Sequence, residues 1–361
     1  MSHPPLDLRT AEAMLAHVDG CEDRETWVSV GMALKSEFGM DAFNAWDQWS
    51  ANAANYSEKS CRSSWKGFKA RNGAGVTIGT LIKLAMDGGF TFDRSQQPAL
   101  DPAELQRRRQ KRAQRIAAEQ ADRARLAQSA EQQALATWRA ALREGTSAYC
   151  TRKGIDAPES CRYLPEQQGG GIVLPMLRYD LPREQSLKGV QIIRDDGSKK
   201  FTYGMLKPGT ACRLGLAVVG EPVFVCEGYA TGMTIRMALA RRFAVFVAWD
   251  AYNLVTVVDA VHQALPDNPM VICADDDHKT MVKGLSNNVG RIQAQIALDG
   301  VMDGTGGARL VCRTYPVFKK ETARGDKDTD FNDLQRLEGL AEVTEQLELC
   351  LSTLTELAKH G

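Results

Sequence analysis

Two short apolar runs that end abruptly in acidic residues limit what this chain can fold into. Residues 222–226 run straight into Glu227 and a glycine, and residues 270–274 run into three consecutive aspartates. Short, continuous apolar runs that stop at turn residues are typical of buried strands in a parallel sheet. Ligands collect where the carboxyl ends of such strands meet, so these two ends predict a site at one edge of a sheet.

The sequence around these two runs alternates strand and helix. From residue 221 onward the predicted elements are strand 223–226, helix 230–241, strand 243–248, helix 252–264, strand 270–274, helix 286–298 and strand 309–313. This alternation favours an α/β unit with right-handed connections. A leucine stripe over residues 334–359 predicts one final amphipathic helix that packs back on the unit.

The acidic residues at the strand ends are candidate ligands for a divalent metal ion. Hard cations prefer carboxylate oxygens, and Mg²⁺ suits phosphate chemistry. If the strand continues through residue 277, Asp275 and Asp277 lie on one face and Asp276 faces away, because side chains alternate along a strand. Glu227 is a candidate base for a 3′-hydroxyl or a further metal ligand.

A third acidic run, residues 328–333, extends the cluster. Asp330 and Asp333 are candidate metal ligands there, Asn332 is an equally suitable oxygen donor, and Asp328 is assigned to a solvated loop. The alternative interpretation makes these acids helix caps and turn residues, which Asp and Glu often are. The coincidence of several acidic strand ends favours the metal site.

These residues resemble a known domain. Glu227 in a Glu-Gly turn, the Asp275-x-Asp277 pair and the Asp-Phe-Asn-Asp-Leu stretch at 330–334 look like the TOPRIM domain of bacterial-type primases, topoisomerases and some nucleases. The likeness covers about residues 146–335 and is greatest to primases of phages, plasmids and other mobile elements. It implies a Mg²⁺- or Mn²⁺-dependent nucleotidyltransferase with Glu227, Asp275 and Asp277 as catalytic residues.

The glycine that follows the acidic pair departs from the family pattern. In the family a glycine follows the Asp-x-Asp pair closely and leads into a helix. Here residues 278–283 intervene before Gly284, and Gly290 comes later still. The start of this helix, and with it the geometry at the metal, is therefore left open by the sequence.

Residues 146–220 predict antiparallel strands that carry basic side chains. Strands at 172–176 and 189–193 precede a turn at 195–198, and the basic candidates after it are Lys199, Lys200, Lys207 and Arg213. They either line a cleft and face template or nucleotide phosphates, or are ordinary surface side chains. Asp250 and Asn253 match an Asp-Ala-x-Asn-Leu stretch of the family, which implies a nucleotide contact.

The first 95 residues predict a small all-α domain. Aromatic residues recur at helix-compatible intervals, which favours a tryptophan-rich core over an exposed base-stacking platform. The segment is similar to a helical domain attached to mobile-element primases, and its ending, from Gly73 to Leu81, contributes to that likeness. Template or partner contact is the role usually suggested for such a domain.

Residues 96–145 predict a helical linker rich in Ala, Gln, Arg and Glu. Its apolar stripe is mostly alanine and would bury little, so a solvated spacer is favoured over a dedicated DNA-binding helix. Its arginines could still lie along a phosphate backbone. We therefore expect a fragment that begins near Thr146 to fold without this helix.

The predicted fold class is α/β, with a TOPRIM-type parallel-sheet catalytic domain and an adjoining mixed α+β subdomain. The four predicted parts are a helical primase-associated domain at 1–95, a charged helical linker at 96–145, the N-terminal part of a primase core at 146–220, and the TOPRIM domain with its C-terminal helix at 221–361.

Composition argues against several other classes of protein. Basic and acidic side chains are equal in number, so net charge does not indicate a nucleic-acid ligand. Nine cysteines with no C-x-x-C pair and no signal peptide predict reduced thiols in a cytosolic protein and argue against a zinc ribbon. The resemblance implies that this cytoplasm is that of a bacterial host. No apolar run approaches the ~20 residues of a membrane span, and no P-loop motif is present.

The favoured function is a DNA-dependent primase. Its implied partners are a single-stranded DNA template, nucleoside triphosphates and a replicative helicase. The alternatives are a TOPRIM nuclease, which directs water at a backbone phosphate, and a non-enzymatic DNA-binding replication accessory. The basic hairpin and the region before it favour the primase, because a primase holds a nucleotide and a template together.

Overall fold

The computed structural model describes residues 6–68, 76–92, 102–282, 285–303, 310–319 and 323–360. The chain divides into two compact units, an N-terminal unit (Met1–Asp122) and a C-terminal unit (Arg123–Gly361). No helix among the described residues is both long enough and apolar enough to span a bilayer.

Short helices build most of the N-terminal unit. In the described part of the chain they are α1 (Leu8–Leu15), α2 (Arg24–Phe38), α3 (Phe43–Ser50), α4 (Glu58–Gly67) and α5 (Ile78–Asp87). The side chains of Asp7, Asp23 and Ser57 each accept a hydrogen bond from a backbone N–H in the first turn of the following helix. Polar N-caps thus set where α1, α2 and α4 begin.

Tryptophans form the core of this unit. Trp46 and Trp65 are buried, and the ring centroid of Trp46 lies 4.6 Å from that of Trp27 and 5.3 Å from that of Trp65. The indole N–H groups of Trp46 and Trp49 donate to backbone carbonyls. The predicted tryptophan-rich core is confirmed. The Gly73 end of the family-like stretch lies outside the described residues.

The arginine-rich stretch forms one long helix, α6 (Pro102–Ala140). In the N-terminal unit, Arg115 donates to the carbonyl oxygen of Ser36 at 3.0 Å, near the C-terminal end of α2, where basic groups satisfy free carbonyls. In the C-terminal unit, Ala134 is completely buried and packs with Val173 and Val190. The predicted low-burial spacer is therefore wrong for the second half of α6, because alanines let a helix lie close against a sheet.

The C-terminal unit contains an antiparallel sheet and a short helix, α7 (Ala148–Arg152). The sheet order β1-β2-β3-β4 is formed by β1 (Arg162–Tyr163), β2 (Ile172–Leu177), β3 (Leu187–Ile193) and β4 (Lys199–Phe201). Ile193 pairs with Lys199 across the predicted turn, so the basic hairpin is confirmed as a structural element.

A second, five-stranded sheet carries the acidic strand ends. Seven more strands follow along the chain, of which five belong to this sheet: β5 (Cys212–Leu214), β6 (Val223–Cys226), β7 (Ala244–Val247), β8 (Met270–Cys273), β9 (Met281–Val282), β10 (Leu285–Ser286) and β11 (Val311–Thr314). Strands β9 and β10 pair with each other, and the other five form the sheet in the order β11-β8-β6-β7-β5. All neighbours are parallel except β5, which is antiparallel to β7.

Helices connect these strands and close the chain. They are α8 (Tyr229–Ala238), α9 (Ala251–Ala264), α10 (Val289–Asp303), α11 (Phe331–Glu338) and α12 (Leu340–His360). The predicted alternation of strand and helix is confirmed from residue 223 to residue 303.

Three details differ from the sequence-based expectations. The helix expected at 286–298 begins at Val289, because residues 285–286 pair with β9. The edge strand β5, on which Arg213 lies, was not predicted, so the sheet is mixed rather than wholly parallel. The single helix expected over 334–359 is two helices, because Gly339 adopts a positive φ of 97° between them.

We expect the second half of α6 to be required for the stability of the C-terminal unit. A fragment of residues 146–361 lacks the buried alanines and exposes Leu164, Val173 and Val190, whereas a fragment of residues 123–361 keeps their cover. The shorter fragment should lose about 2 kcal/mol or more of unfolding free energy. Urea denaturation of both fragments measures the difference, and equal free energies would show that α6 contributes nothing to this core.

Candidate active site

The two acidic strand ends lie side by side, as the sequence predicts. Strands β6 and β8 are parallel neighbours with Cys226 opposite Cys273. Glu227 and Asp275 therefore emerge from the same edge of the sheet. Strand β7 flanks β6 on the other side with Val247 opposite Cys226, so the segment that contains Asp250 starts from this edge as well.

Glu227 and Asp275 bring like charges together out of water. Glu227 Oε1 and Asp275 Oδ1 are buried, and neither has a hydrogen-bond partner among the described residues. Burial, and then the charge of Asp277, raise the pKa of Glu227 to about 7. Burial, followed by the charges of Glu227 and Asp330, holds the pKa of Asp275 well above its usual range. Glu227, Asp275, Asp277 and Asp330 thus form one electrostatic group, in which two oxygens lack a hydrogen-bond partner among the described residues.

Asp277 is positioned by the start of α10 rather than by a strand. Strand β8 ends at Cys273, so the predicted alternation through residue 277 does not apply. The backbone N–H of Gly290 donates to Asp277 Oδ2 at 3.0 Å, and the N–H of Asp277 donates to Asn288 Oδ1 at 3.1 Å. The inserted segment therefore returns the chain to a helix N-terminus that faces the acidic pair.

Gly290 is the glycine that the family pattern left uncertain. A Cβ atom at this position would lie 2.3 Å from the backbone oxygen of Asp275. Only glycine allows α10 to approach the acidic loop so closely. Gly290 thus brings the first turn of α10 directly against the acidic loop, whereas Gly284 lies outside the described residues.

Asp276 points into an ion-pair network and not into the acidic group. Its carboxylate pairs with Arg291 at 2.7 Å and with Arg324 at 3.0 Å, and it accepts a hydrogen bond from Asn288. Although burial opposes it, the hydrogen bonds from Asn288 and Arg324 lower the pKa of Asp276. Its backbone N–H donates to Thr329 O at 2.7 Å, which ties the loop after β8 to the third acidic run.

The third acidic run lies beside the group and also caps a helix. Asp330 Oδ1 accepts from the N–H of Asp333 at 2.8 Å, and Asp333 Oδ2 accepts from the N–H of Thr329 at 3.0 Å. Thr231 Oγ1 donates to Asp330 Oδ2 at 2.9 Å, which sequence reasoning missed. Burial and the nearby Asp333 raise the pKa of Asp330. Helix capping, the alternative interpretation, is thus present here, and the ligand role of both residues stays a prediction.

Asn332, the other oxygen donor considered, is fully buried on the far side of this cap. Its Nδ2 donates to Lys153 O at 2.8 Å, while its Oδ1 has no hydrogen-bond partner among the described residues. Asp333 forms ion pairs with Lys153 at 3.6 Å and with Arg336 at 2.8 Å. Neither Lys153 nor Arg336 was assigned a role from the sequence. Lys153 belongs to the stretch Arg152-Lys153-Gly154, near the start of the predicted primase core at 146–220.

Lys199 of the basic hairpin lies near the acidic group. The side chain of Lys199 is exposed, as is that of Lys200; desolvation of its ammonium lowers the pKa of Lys199, and the charges of Asp330 and Asp275 act in the opposite direction. A pocket of about 440 Å³ opens beside it, lined by Tyr149, Arg152, Lys153, Asp196, Gly197, Lys199 and Arg336. Lys200, the next residue of β4, lies on the opposite face of the strand and is exposed.

The remaining predicted contact residues already have partners in the protein. Lys207 forms an ion pair with Asp250, which also caps α9. Asn253 is buried, and its amide oxygen accepts from the N–H of Gly209 at 2.8 Å while its Nδ2 donates to the carbonyls of Thr210 and Ala248. The guanidinium of Arg213 lies over the Tyr179 ring, 5.9 Å from its centroid. Their contact with nucleotide or template stays a prediction, and this geometry gives Asn253 a structural role.

A divalent cation suits the acidic group by donor type. Within the described residues, no three Asp, Glu, His or Cys side chains already stand at the spacing of a formed metal site. The two buried oxygens without partners, and the mutual repulsion of Glu227, Asp275 and Asp277, are the observations that favour a cation here. Binding of Mg²⁺ or Mn²⁺ stays a prediction.

We expect Gly290→Ala to disturb the acidic site. The added Cβ must push α10 away from Asp275, and the hydrogen bond to Asp277 should lengthen or break, at a cost of about 1–3 kcal/mol. Gly300→Ala is the matched control in the same helix, because nothing lies within 4 Å of its added Cβ, and it should stabilise slightly. Thermal unfolding of both variants measures this, and equal effects would contradict the close approach at Gly290.

We expect Asp275→Asn to remove stabilisation by Mg²⁺. Mg²⁺ at about ten times its Kd should raise the Tm of the native chain by about 3 °C. The variant should show no such shift, and without metal it should be at least as stable as the native chain, because one buried like charge is lost. Asp267→Asn, at an exposed position, is the control. An unchanged Mg²⁺ shift in Asp275→Asn would contradict the metal assignment.

Comparison with known proteins agrees with the resemblance of this sequence to primases. Residues 11–85 match the family described as Primase C terminal 2 (PriCT-2). Two curated Escherichia coli proteins named DNA primase TraC are each 32% identical to the chain, one over 232 residues (61% of this chain, 20% of the relative) and one over 179 residues (48% and 11%). The chain thus spans about a fifth or less of the length of these relatives.

Solved structures give only a weak likeness. The crystal structure of the primase fragment of the bacteriophage T7 primase-helicase protein has a TM-score of 0.37 and 14% identity, over 55% of this chain and 69% of that one. A structure of T7 lagging-strand DNA polymerase with primase domains of two gp4 subunits has a TM-score of 0.36 and 15% identity, over 56% and 87%. Such scores do not establish a shared fold. The family match and the TraC relatives show that this chain is similar to DNA primases.

Proposed function

We propose that this chain is a DNA-dependent primase, which synthesises short primers on single-stranded DNA during replication of a phage, plasmid or other mobile element. The observation that carries the proposal is the acidic group at the sheet edge, in which Glu227 Oε1 and Asp275 Oδ1 are buried and Asp277 is partly exposed, with the charge of Lys199 close by. A site that joins nucleotides needs carboxylates for cations and basic side chains for phosphates. The names of the TraC relatives support the same function.

We assign the five-stranded sheet and its helices to a TOPRIM-type domain. The support is the order of the acidic residues along the chain together with their placement at one sheet edge. On this assignment Glu227, Asp275 and Asp277, with Asp330 beside them, would hold Mg²⁺ or Mn²⁺. A bound divalent cation would supply neutralisation of the charge that develops on the reacting phosphate.

The protein's own residues would perform the remaining steps. The 3′-oxygen of one nucleotide forms a bond to the α-phosphorus of the next, and the bond to the leaving pyrophosphate breaks. Glu227, at the sheet edge beside Asp275, would take the hydroxyl proton where it is not itself a ligand of the cation. Lys199 and the basic side chains of its pocket, Arg152 and Lys153, would hold phosphates of the nucleotide or template.

Single-stranded DNA and nucleoside triphosphates are the partners this reaction requires. A replicative helicase remains a prediction from the resemblance. The test is incubation of the protein with single-stranded DNA, labelled nucleoside triphosphates and Mg²⁺ or Mn²⁺. New short oligomers support the primase, shortened DNA would indicate the nuclease, and no change in either would indicate a non-enzymatic replication accessory.

We expect Asp277→Asn and Glu227→Gln each to reduce primer synthesis at least about 100-fold, because each removes a charged group from the reacting centre. Binding of single-stranded DNA should be unchanged, since neither residue belongs to the basic surface. Asp267→Asn, exposed and remote from the acidic group, is the control for a lost carboxylate. Near-normal synthesis by either site variant at saturating Mg²⁺ would show that its role is assigned wrongly.

A further inference from the structure

Trp249 occupies an unusual position at the edge of the acidic site. It follows β7 and adopts a positive φ of 80°, a region that side chains other than glycine rarely enter. Its backbone N–H donates to Glu227 O at 2.8 Å, and its indole Nε1–H donates to Thr210 O at 2.9 Å. The backbone of Trp249 is thus held beside that of Glu227, and its indole is tied to Thr210, at the expense of backbone strain. Strain of this kind concentrates at functional sites.

Strand β4 connects Trp249 to the acidic group. Lys199 and Phe201 are two residues apart on β4, so they lie on the same face, about 7 Å apart along the strand. The charges of Asp330 and Asp275 act on Lys199, whereas Phe201 packs edge-to-face on Trp249 with ring centroids 6.3 Å apart and planes at 85°. One face of β4 therefore carries a basic side chain at one end and an aromatic contact to Trp249 at the other.

The aromatic end is open to solvent. Trp249 is only partly buried, and Tyr252, in the first turn of α9, is 70% exposed. Tyr203, two residues after Phe201, is 79% exposed. Aromatic rings are the groups on which nucleobases stack. By contrast, the tryptophans of the N-terminal unit are packed in its core.

We propose that Trp249, supported by Phe201, stacks against a nucleobase. The base belongs either to the nucleoside triphosphate or to the template strand, and both present the same planar ring. The spacing fits a nucleotide whose phosphates lie at Lys199 and the acidic group while its base lies at Trp249. The phosphate end of this arrangement rests on the proposed function, but the stacking is a binding property that is measured without synthesis.

The test compares Trp249→Leu with Trp249→Phe in the full chain. The Mg²⁺-dependent affinity is measured for ATP, for inorganic triphosphate, for an oligodeoxythymidylate and for the same oligonucleotide with abasic sites. If the stacked base is that of the nucleotide, Trp249→Leu should lower the affinity for ATP about tenfold or more and leave the affinity for inorganic triphosphate unchanged. If it is a template base, the affinity for the oligodeoxythymidylate should fall instead, and the affinity for the abasic strand should stay unchanged. Trp249→Phe should restore most of either affinity.

Two controls keep the outcome decisive. Trp138→Leu removes another indole of the C-terminal unit, one that packs against Arg162 in a different core, and it should change none of these affinities. If Trp249→Leu does not fold, Trp249→Gly replaces it, because glycine adopts the positive φ without strain. The proposal would be overturned if the folded variant bound ATP as tightly as the native chain does and also bound oligodeoxythymidylate as tightly as the native chain does. A chain that makes no primers but shows the stacking differences would contradict the proposed function alone.

Discussion

The central constraint on this structure is the burial of several carboxylates that face one another. Burying a charge without a partner is costly, and like charges increase the cost. Elsewhere the protein avoids it: Asp276 has two arginines, and Asp333 has Lys153 and Arg336. Only at Glu227 and Asp275 do buried carboxylate oxygens lack hydrogen-bond partners among the described residues. The fold thus keeps these carboxylates close together at a cost in stability.

The surrounding structure holds this group in place. Asp276 joins the loop after β8 to the third acidic run through its arginines and through the carbonyl oxygen of Thr329. Gly290 lets the N-terminus of α10 come against the same loop from the other side. A site of this kind depends on rigid supports, because mutually repelling side chains would otherwise turn towards water. The residues that support the carboxylates are therefore as important to the site as the carboxylates themselves.

Much of the fold was predictable because its signals are local. The strands at 223–226 and 270–273 are apolar runs bounded by turn residues, and the tryptophans of the N-terminal unit recur at helical spacing. The misjudged elements lack such signals. Strand β5 has three residues and is defined only by its pairing with β7. The second half of α6 looks solvated because alanine is weakly apolar, yet its burial depends on how closely a sheet approaches it.

The sequence by itself determined that Glu227 and the Asp275–Asp277 segment lie at one sheet edge, because parallel strands align their carboxyl ends. It also determined the basic hairpin, because a turn between two strands is a local event. Only the tertiary structure decided which groups face the carboxylates. Lys199 approaches Asp330 across a long stretch of chain, and Phe201 meets Trp249 in the same way. Periodicity reports which face of an element is buried, but it carries no information about what packs against that face.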